Sequence, residues 1–198
     1  IASCLVGSEM CIRDRHTAAG WKATQFIPGQ VRGRIDETAQ MALRLDAAMA
    51  EVSLPNGQRS DDFARAERSA WEETGEAYRP ALLADVPLIP AHTALLATTV
   101  YHGANPPGIV ELVPSESPRP AGWGAALVIV DGLIAQAVDD GICQRFSHVP
   151  GMQELLLRAV SYRRHINGLH PTSRSNTRSY IERVEQHLVS QASAILER

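Results

Sequence analysis

Six arginines fall within residues 158–183, at Arg158, Arg163, Arg164, Arg174, Arg178 and Arg183, against the single Glu182. Six positive charges less one negative leave a local excess of +5 in a chain whose formal total is −3. A partner bearing phosphates fits that asymmetry, because each guanidinium that meets a phosphate releases condensed counterions. Tyr162 and Tyr180 lie among these arginines, where their rings could stack on bases. The competing reading is a solvated helix face whose arginines pair with the acids of residues 36–85. Cys143 and His148 could act as nucleophile and base if the fold joins them, but a lone cysteine more often packs as a small hydrophobe. His102 precedes the Asn105-Pro106-Pro107-Gly108 turn and has no evident partner, and Asp139-Asp140-Gly141 reads as a turn. No Gly-x-Ser-x-Gly elbow, phosphate-binding Gly-Lys-Ser/Thr loop or His-Glu-x-x-His pair is present, so hydrolase, phosphate-loop and zincin chemistry have no motif support.

The elements that must position these groups are bounded by composition. With 198 residues, 44% hydrophobic and 21% charged, the chain suits one globular domain, or a domain with a helical extension, rather than a disordered tail. Its longest unbroken apolar run is the six residues Ala125–Val130, against roughly 20 for a membrane span. The run IASCLVGSEMCIRDR over Ile1–Arg15 resembles translated sequencing-adapter read-through and is set apart as a non-native leader (residues 1–15). Cys4 and Cys11 go with it. Only Cys143 remains, so no disulfide framework or paired metal spacing is expected, and a reducing, cytoplasmic location is.

Ile35, Ala39, Ala42, Leu45, Met49 and Val52 recur at helical steps and predict one buried face, with Asp36, Arg44, Asp46 and Glu51 turned elsewhere. Leu54-Pro55-Asn56-Gly57 ends that helix by turn chemistry. Ser60 as N-cap, with Asp61 and Asp62 in the first turn, starts a second helix whose stripe runs Phe63, Ala66, Ala70, Trp71, Thr74, Ala77 and Tyr78. The two predict a helical hairpin within residues 16–88. Beyond Pro87–Pro90 the apolar residues come in short runs, Thr93–Tyr101, Ile109–Val113, Ala125–Val130 and Leu133–Val138, which are of strand length. Asp131-Gly132 between two such runs predicts a β-hairpin over Leu127–Ala135; one buried helix over Ala125–Val138 is the competing reading. Met152, Leu155, Leu156, Ala159 and Val160 predict a helix, Gly168-Leu169-His170-Pro171 a break, and Asn176 onward a last helix with Ser179 and Glu182 as a capping box.

Ser117-Pro118-Arg119-Pro120-Ala121-Gly122-Trp123-Gly124-Ala125-Ala126-Leu127 resembles the entry to the first strands of ribonuclease H-like domains. The order downstream is similar: a hairpin, a helix carrying Gln153-Glu154-Leu155-Leu156, an extended stretch near Leu169–Ser173, then Ser175-Asn176-Thr177-Arg178-Ser179-Tyr180-Ile181 as in retroelement-type members. The resemblance covers about residues 107–190. It implies an α+β domain over residues 89–198 with a mixed sheet and flanking helices, a further strand and carboxylate beyond Arg198, and Glu154 as catalytic and metal-binding glutamate. Such nucleases hold two Mg²⁺ or Mn²⁺ ions about 4 Å apart between several carboxylates. Here the first-strand aspartate falls near Ser115 and the fourth-strand one near Ser175, and neither hydroxyl supplies the missing charge. Glu111 or Glu116 stands in for the first if the register slips. The resemblance therefore implies a crippled nuclease that keeps nucleic-acid association, with RNA or an RNA–DNA hybrid, through Arg163, Arg164, Arg174 and Arg178.

Two rival readings predict an all-α bundle or no chemistry. Arg164-His165-Ile166-Asn167-Gly168-Leu169-His170 is similar to the Arg…His pattern of HEPN ribonucleases, which implies metal-independent cleavage with Arg164 on phosphate and His170 moving the proton. The third reading is a non-catalytic helical module that packs on a partner.

Overall fold

The structure, a computed structural model, describes residues 14–16, 22–24, 26–52, 59–77, 85–169 and 175–196. Seven helices lie among them: α1 Ile35–Met49, α2 Asp62–Ala77, the single turn α3 Leu95–Thr98, α4 Trp123–Ile134, the short α5 Gly141–Arg145, α6 Met152–Leu169 and α7 Ser175–Leu196. The strands are two or three residues long: β1 Asp14–His16, β2 Lys22–Thr24, β3 Gln30–Val31, β4 Leu88–Ile89, β5 Thr99–Tyr101, β6 Gly108–Ile109 and β7 Arg119–Pro120. They pair antiparallel as β1-β2, β3-β5-β6 and β4-β7, so the fold is α+β with the helices dominant. No helix of the described residues is long and apolar enough to cross a membrane.

The bundle is built round α4. Trp123, Gly124, Ala125, Ala126, Leu127, Val128, Ile129, Val130, Gly132 and Leu133 are all buried, so the helix has no solvent face. A helix apolar on every side must be surrounded. Here α1, α6 and α7 pack against it, and α2 packs on α6 and brings Trp71 edge-on to Trp123 at the start of α4.

This replaces the β-hairpin predicted over Leu127–Ala135. A type I′ turn needs positive φ at both central residues, and neither Asp131 nor Gly132 has it. Gly132 serves a close crossing instead: a Cβ there would lie 2.7 Å from Ile35 Cγ2. Asp131 turns outward to an arginine of α6. The chain leaves the helix at Gln136, at φ 55. The Ala137 N–H reaches the Gly132 carbonyl and the Gln136 N–H the Leu133 carbonyl, which is a Schellman motif with glutamine in the left-handed position.

α1 and α2 form where the periodicity predicts them, but they pack on α4 and α6 respectively rather than as a hairpin on one another. One core draws Leu45 and Ala70 from before Pro87 and Leu127 and Leu156 from after it. In α1 the predicted stripe is buried as far as Met49, and Asp46, expected on the outer face, is buried with it. In α2 Phe63 is half exposed while Glu67 is buried. The N-cap of α2 is Asp61 rather than Ser60, since Asp61 Oδ1 accepts the Ala64 N–H at 3.0 Å. In α7, Ser179 lies inside a helix that already began at Ser175, and Glu182 reaches Arg178 in place of a capping box. Among the predicted strands, Thr93–Tyr101 is extended only over β5, after the turn of α3. The Leu54–Gly57 turn, Tyr78 and the extended stretch beyond Leu169 lie outside the described residues.

Asp46 explains how the apolar helix is started. Gly122, at φ 98, precedes α4, and its N–H donates to Asp46 Oδ2 at 2.7 Å. The carboxylate thus satisfies one of the orphan donors of the first turn. Burial pushes the Asp46 carboxyl up to about 7, against the lowering effect of the Gly122 bond. The folded protein therefore keeps a proton that the unfolded chain loses near pH 4. Stability should fall as pH rises from about 4 to about 7, by up to about 1.4 kcal/mol per unit, and level off above. Asp46→Asn keeps an acceptor and removes the titration. In denaturant unfolding its stability relative to wild type should climb across that window, by up to about 4 kcal/mol at pH 8; a difference independent of pH would count against this account. Gln136→Gly should add about 0.5–1 kcal/mol in the same assay by relieving the left-handed glutamine.

Candidate functional site

Of the three carboxylates expected to be catalytic, Glu154 and Glu116 are held by arginines and Glu111 stands apart from both. Glu154, in the first turn of α6, is 3% exposed, and its Oε1 accepts from Arg158 Nη2 at 2.6 Å. Its Oε2 is buried with no hydrogen-bond partner among the described residues. Arg158 also donates to Thr74 Oγ1 at 3.1 Å and stands 4.3 Å from the centre of the Trp71 ring. Glu116 accepts from Arg68 Nη1 at 2.8 Å, and Arg119 Nη2 lies 3.7 Å away. Burial raises the Glu116 carboxyl, but the bonds from Arg68 and Ser117 and the charges of Arg68 and Arg119 outweigh it and hold it low. Arg119 bonds Glu67 at 2.7 Å and stands 4.6 Å from the same Trp71 ring. Between Glu116 and Glu154 there are thus two guanidiniums and an indole. Glu111 is exposed, and it is its backbone carbonyl that bonds, to His92.

A pair of divalent ions does not fit here. Guanidiniums hold the positions in which metals would have to neutralise Glu116 and Glu154, and Glu111 alone could not hold a pair of ions. No group of three or more His, Cys, Asp or Glu placed to hold a metal ion occurs among the described residues. Ser115, at the position of the first-strand aspartate, is buried, and its Oγ accepts the Ala91 N–H.

The arginine run is less free than its charge count suggests. Arg163 crosses from α6 to α4 and grips Asp131 with two bonds, of 2.6 and 2.7 Å. Arg164 bonds Glu73 of α2 at 2.5 Å and Glu185 of α7 at 3.3 Å. Arg178 bonds Glu182 at 2.9 Å in an exposed pair, and Arg183 stands over Tyr180. Arg174 lies outside the described residues. Tyr162, expected to offer a face to bases, is buried against Trp123. Glu73 gathers bonds from His165, Arg164 and Ser161; burial raises its carboxyl, and these bonds overcome that and hold it low.

Two of these arginines nevertheless open on one hollow. A cavity of about 650 Å³ lies between the start of α2, the end of α6 and the start of α7. Arg65 of α2, Arg164 and His165 of α6 and Arg178 of α7 line it, against Glu182 as the one acidic lining residue among the described residues. Its apolar lining includes Leu169 and Ile181. The antiparallel run of α2 against α6, fixed where Trp71 and Thr74 receive Arg158 and Glu73 receives Arg164 and His165, is what brings Arg65 there. Arg65, more than 90 residues before the arginine run, has no local signal that could have found it. His170, the proton-moving residue of the HEPN-like pattern, lies outside the described residues.

Cys143 and His148 do not form a reactive pair. The thiol is buried and burial pushes it up to about 11, while His148 Nδ1 bonds the Arg145 carbonyl. Asp139 accepts the Gly141 N–H at 2.9 Å, as expected of a turn.

Compared with protein-family models, with curated proteins and with solved structures, the chain matches none.

The geometry of Glu154 separates a structural from a metal-binding role. Glu154→Gln would leave Arg158 buried without a counter-charge, a defect that costs about 3–5 kcal/mol. Chemical denaturation should show a loss of that order, partly recovered when Arg158→Met is added. Unchanged stability in the single variant would instead point to a carboxylate held for chemistry.

Proposed function

We propose that this chain binds nucleic acid through its phosphates in the cavity between α2, α6 and α7, without two-metal hydrolysis. The observation that carries the reading is convergence: Arg65, Arg164 and Arg178 come from three helices onto one concave surface with, among the described residues, a single acidic lining residue. The reading rests on that cavity rather than on the ribonuclease H-like resemblance, whose first hairpin is replaced by α4.

The acids already paired with these arginines do not block it. The Arg178–Glu182 pair and the Arg65–Asp62 pair are both exposed. Exposed pairs within one helix contribute only about 0.3–0.5 kcal/mol, whereas a bond from a guanidinium to a charged group is worth about 1.5–3 kcal/mol. A phosphate that reaches Arg65 or Arg178 can therefore take it from its carboxylate at small cost. Arg164, tied to two glutamates of neighbouring helices, acts as the fixed wall of the cavity. Arg163 is excluded from the contact set by its two hydrogen bonds to Asp131.

One observation favours a second reading, metal-independent cleavage. Arg164, the first residue of the Arg164…His170 pattern, lines the cavity within a helical bundle. RNA cleavage in the presence of EDTA, lost on His170→Ala, would support it.

Titration of a labelled RNA with the full chain tests the main reading. Two or three phosphate contacts predict that log affinity falls with log salt with a slope of about −1.4 to −2. Arg178→Gln should weaken binding severalfold and flatten the slope by about 0.7, and Glu182→Gln should tighten it. A response flat in salt would end the proposal.

A further inference from the structure

We infer that the cavity takes one unstacked nucleotide, so that the nucleic acid it recognises is single-stranded; the inference rests on the reading above and narrows its substrate class. The lining is divided by chemistry. Arg65, Arg164 and Arg178 offer guanidiniums, while Leu169 and Ile181 supply an apolar wall. Phosphates need the first, and the face of a base is satisfied by the second. A smooth duplex backbone would use the arginines alone and leave the apolar wall wet.

Two further features suit a base. Ser69 and Asn167 line the same cavity, and their side chains make no hydrogen bond among the described residues. An amide side chain offers both donors and an acceptor, as the edge of a base requires. Gly168 is exposed in the last turn of α6, and a Cβ added there would meet no atom within 4 Å. Its missing side chain leaves the hollow open between Asn167 and Leu169. At about 650 Å³ the cavity falls within the range that encloses a small ligand, and the bases of RNA are read where they can be splayed out of a strand.

The test compares a short labelled single-stranded RNA with the same strand annealed to its complement, on the full chain. Single strand should bind about tenfold more tightly than duplex. Adenosine monophosphate should displace the strand at lower concentration than inorganic phosphate does. Gly168→Trp, whose Cβ would enter open space at the cavity lining, should bring single-strand affinity down to the duplex level while keeping the salt dependence. Gly168→Ala should retain binding and melt at a higher temperature, as helix propensity demands. The wild-type comparison needs no variant, so a misfolded Gly168→Trp leaves the claim testable. If duplex binds as well as single strand while salt and Arg178→Gln still act, the cavity takes backbone alone: this inference falls and the proposed function stands. If neither form binds in a salt-sensitive way, both fall.

Discussion

Burial of α4 on every side is the constraint from which the rest of the architecture follows. Twelve residues of helix with a single charged side chain have no polar face to show to water. Each large side chain fully buried there contributes about 1.5–3 kcal/mol relative to exposure, so the helix gains most when it is surrounded. Its neighbours comply at close range: Gly124 lets the His92 carbonyl approach within 3.1 Å of where a Cβ would stand, and Gly132 admits Ile35. The polar groups that cannot be avoided are answered from outside the helix. Asp46 of α1 accepts the Gly122 N–H at its start, and Arg163 of α6 neutralises Asp131 near its end. Both partners are charged or titratable residues placed where an apolar side chain would have packed, which marks them as part of the solution to burying α4.

The same logic sorts the arginines. Those that hold α6 against α2 and α4, Arg158 and Arg163, are committed, because removing a buried ionic partner strands the other charge at a cost of several kcal/mol. Those at the exposed ends of α2 and α7, Arg65 and Arg178, are held by carboxylates of their own helix at a cost below 1 kcal/mol. A charge excess counted along the sequence treats these two kinds alike. In space they differ by an order of magnitude in what it takes to redirect them, and only the second kind is available to a ligand.

Legibility in the sequence followed solvent contrast. α1, α2 and the later part of α7 each have a wet face, and their apolar spacing predicts them within a few residues; α6 is predicted from its apolar spacing although Glu154–Tyr162 are buried without a break. α4 has none, so its period is hidden, and Asp131-Gly132 reads as a turn although one residue serves an ion pair and the other a helix crossing. Its true stop is Gln136, a residue type that does not announce a left-handed cap. Buried polar residues were illegible for the same reason: Asp46 and Glu67 look like outer-face residues until the Gly122 N–H and Arg119 that bind them are seen. Of the candidate site, the arginines of α6 and α7 were visible as a cluster. Their cavity was not, because Arg65 and Ser69 come from a helix whose packing on α6 no local pattern records.

Where the cavity lies also decides what binding would demand of the fold. It opens at the α6–α7 junction, lined by Gly168 and Leu169 at the end of α6 and by the first turns of α7, while Trp123 and Tyr162 pack deeper in the bundle. Arg65 and Arg178 would each exchange one exposed partner for another, and neither pairs with Asp131, Asp46 or the Arg158–Glu154 pair, while Arg164 keeps the two glutamates that tie α6 to α2 and α7. The two arginines a ligand would redirect therefore belong to ion pairs separate from those of the core. A bundle organised this way can change what it grips at its rim without disturbing the helix that holds it together, and that separation is what makes a surface pocket on so tightly interlocked a core physically workable.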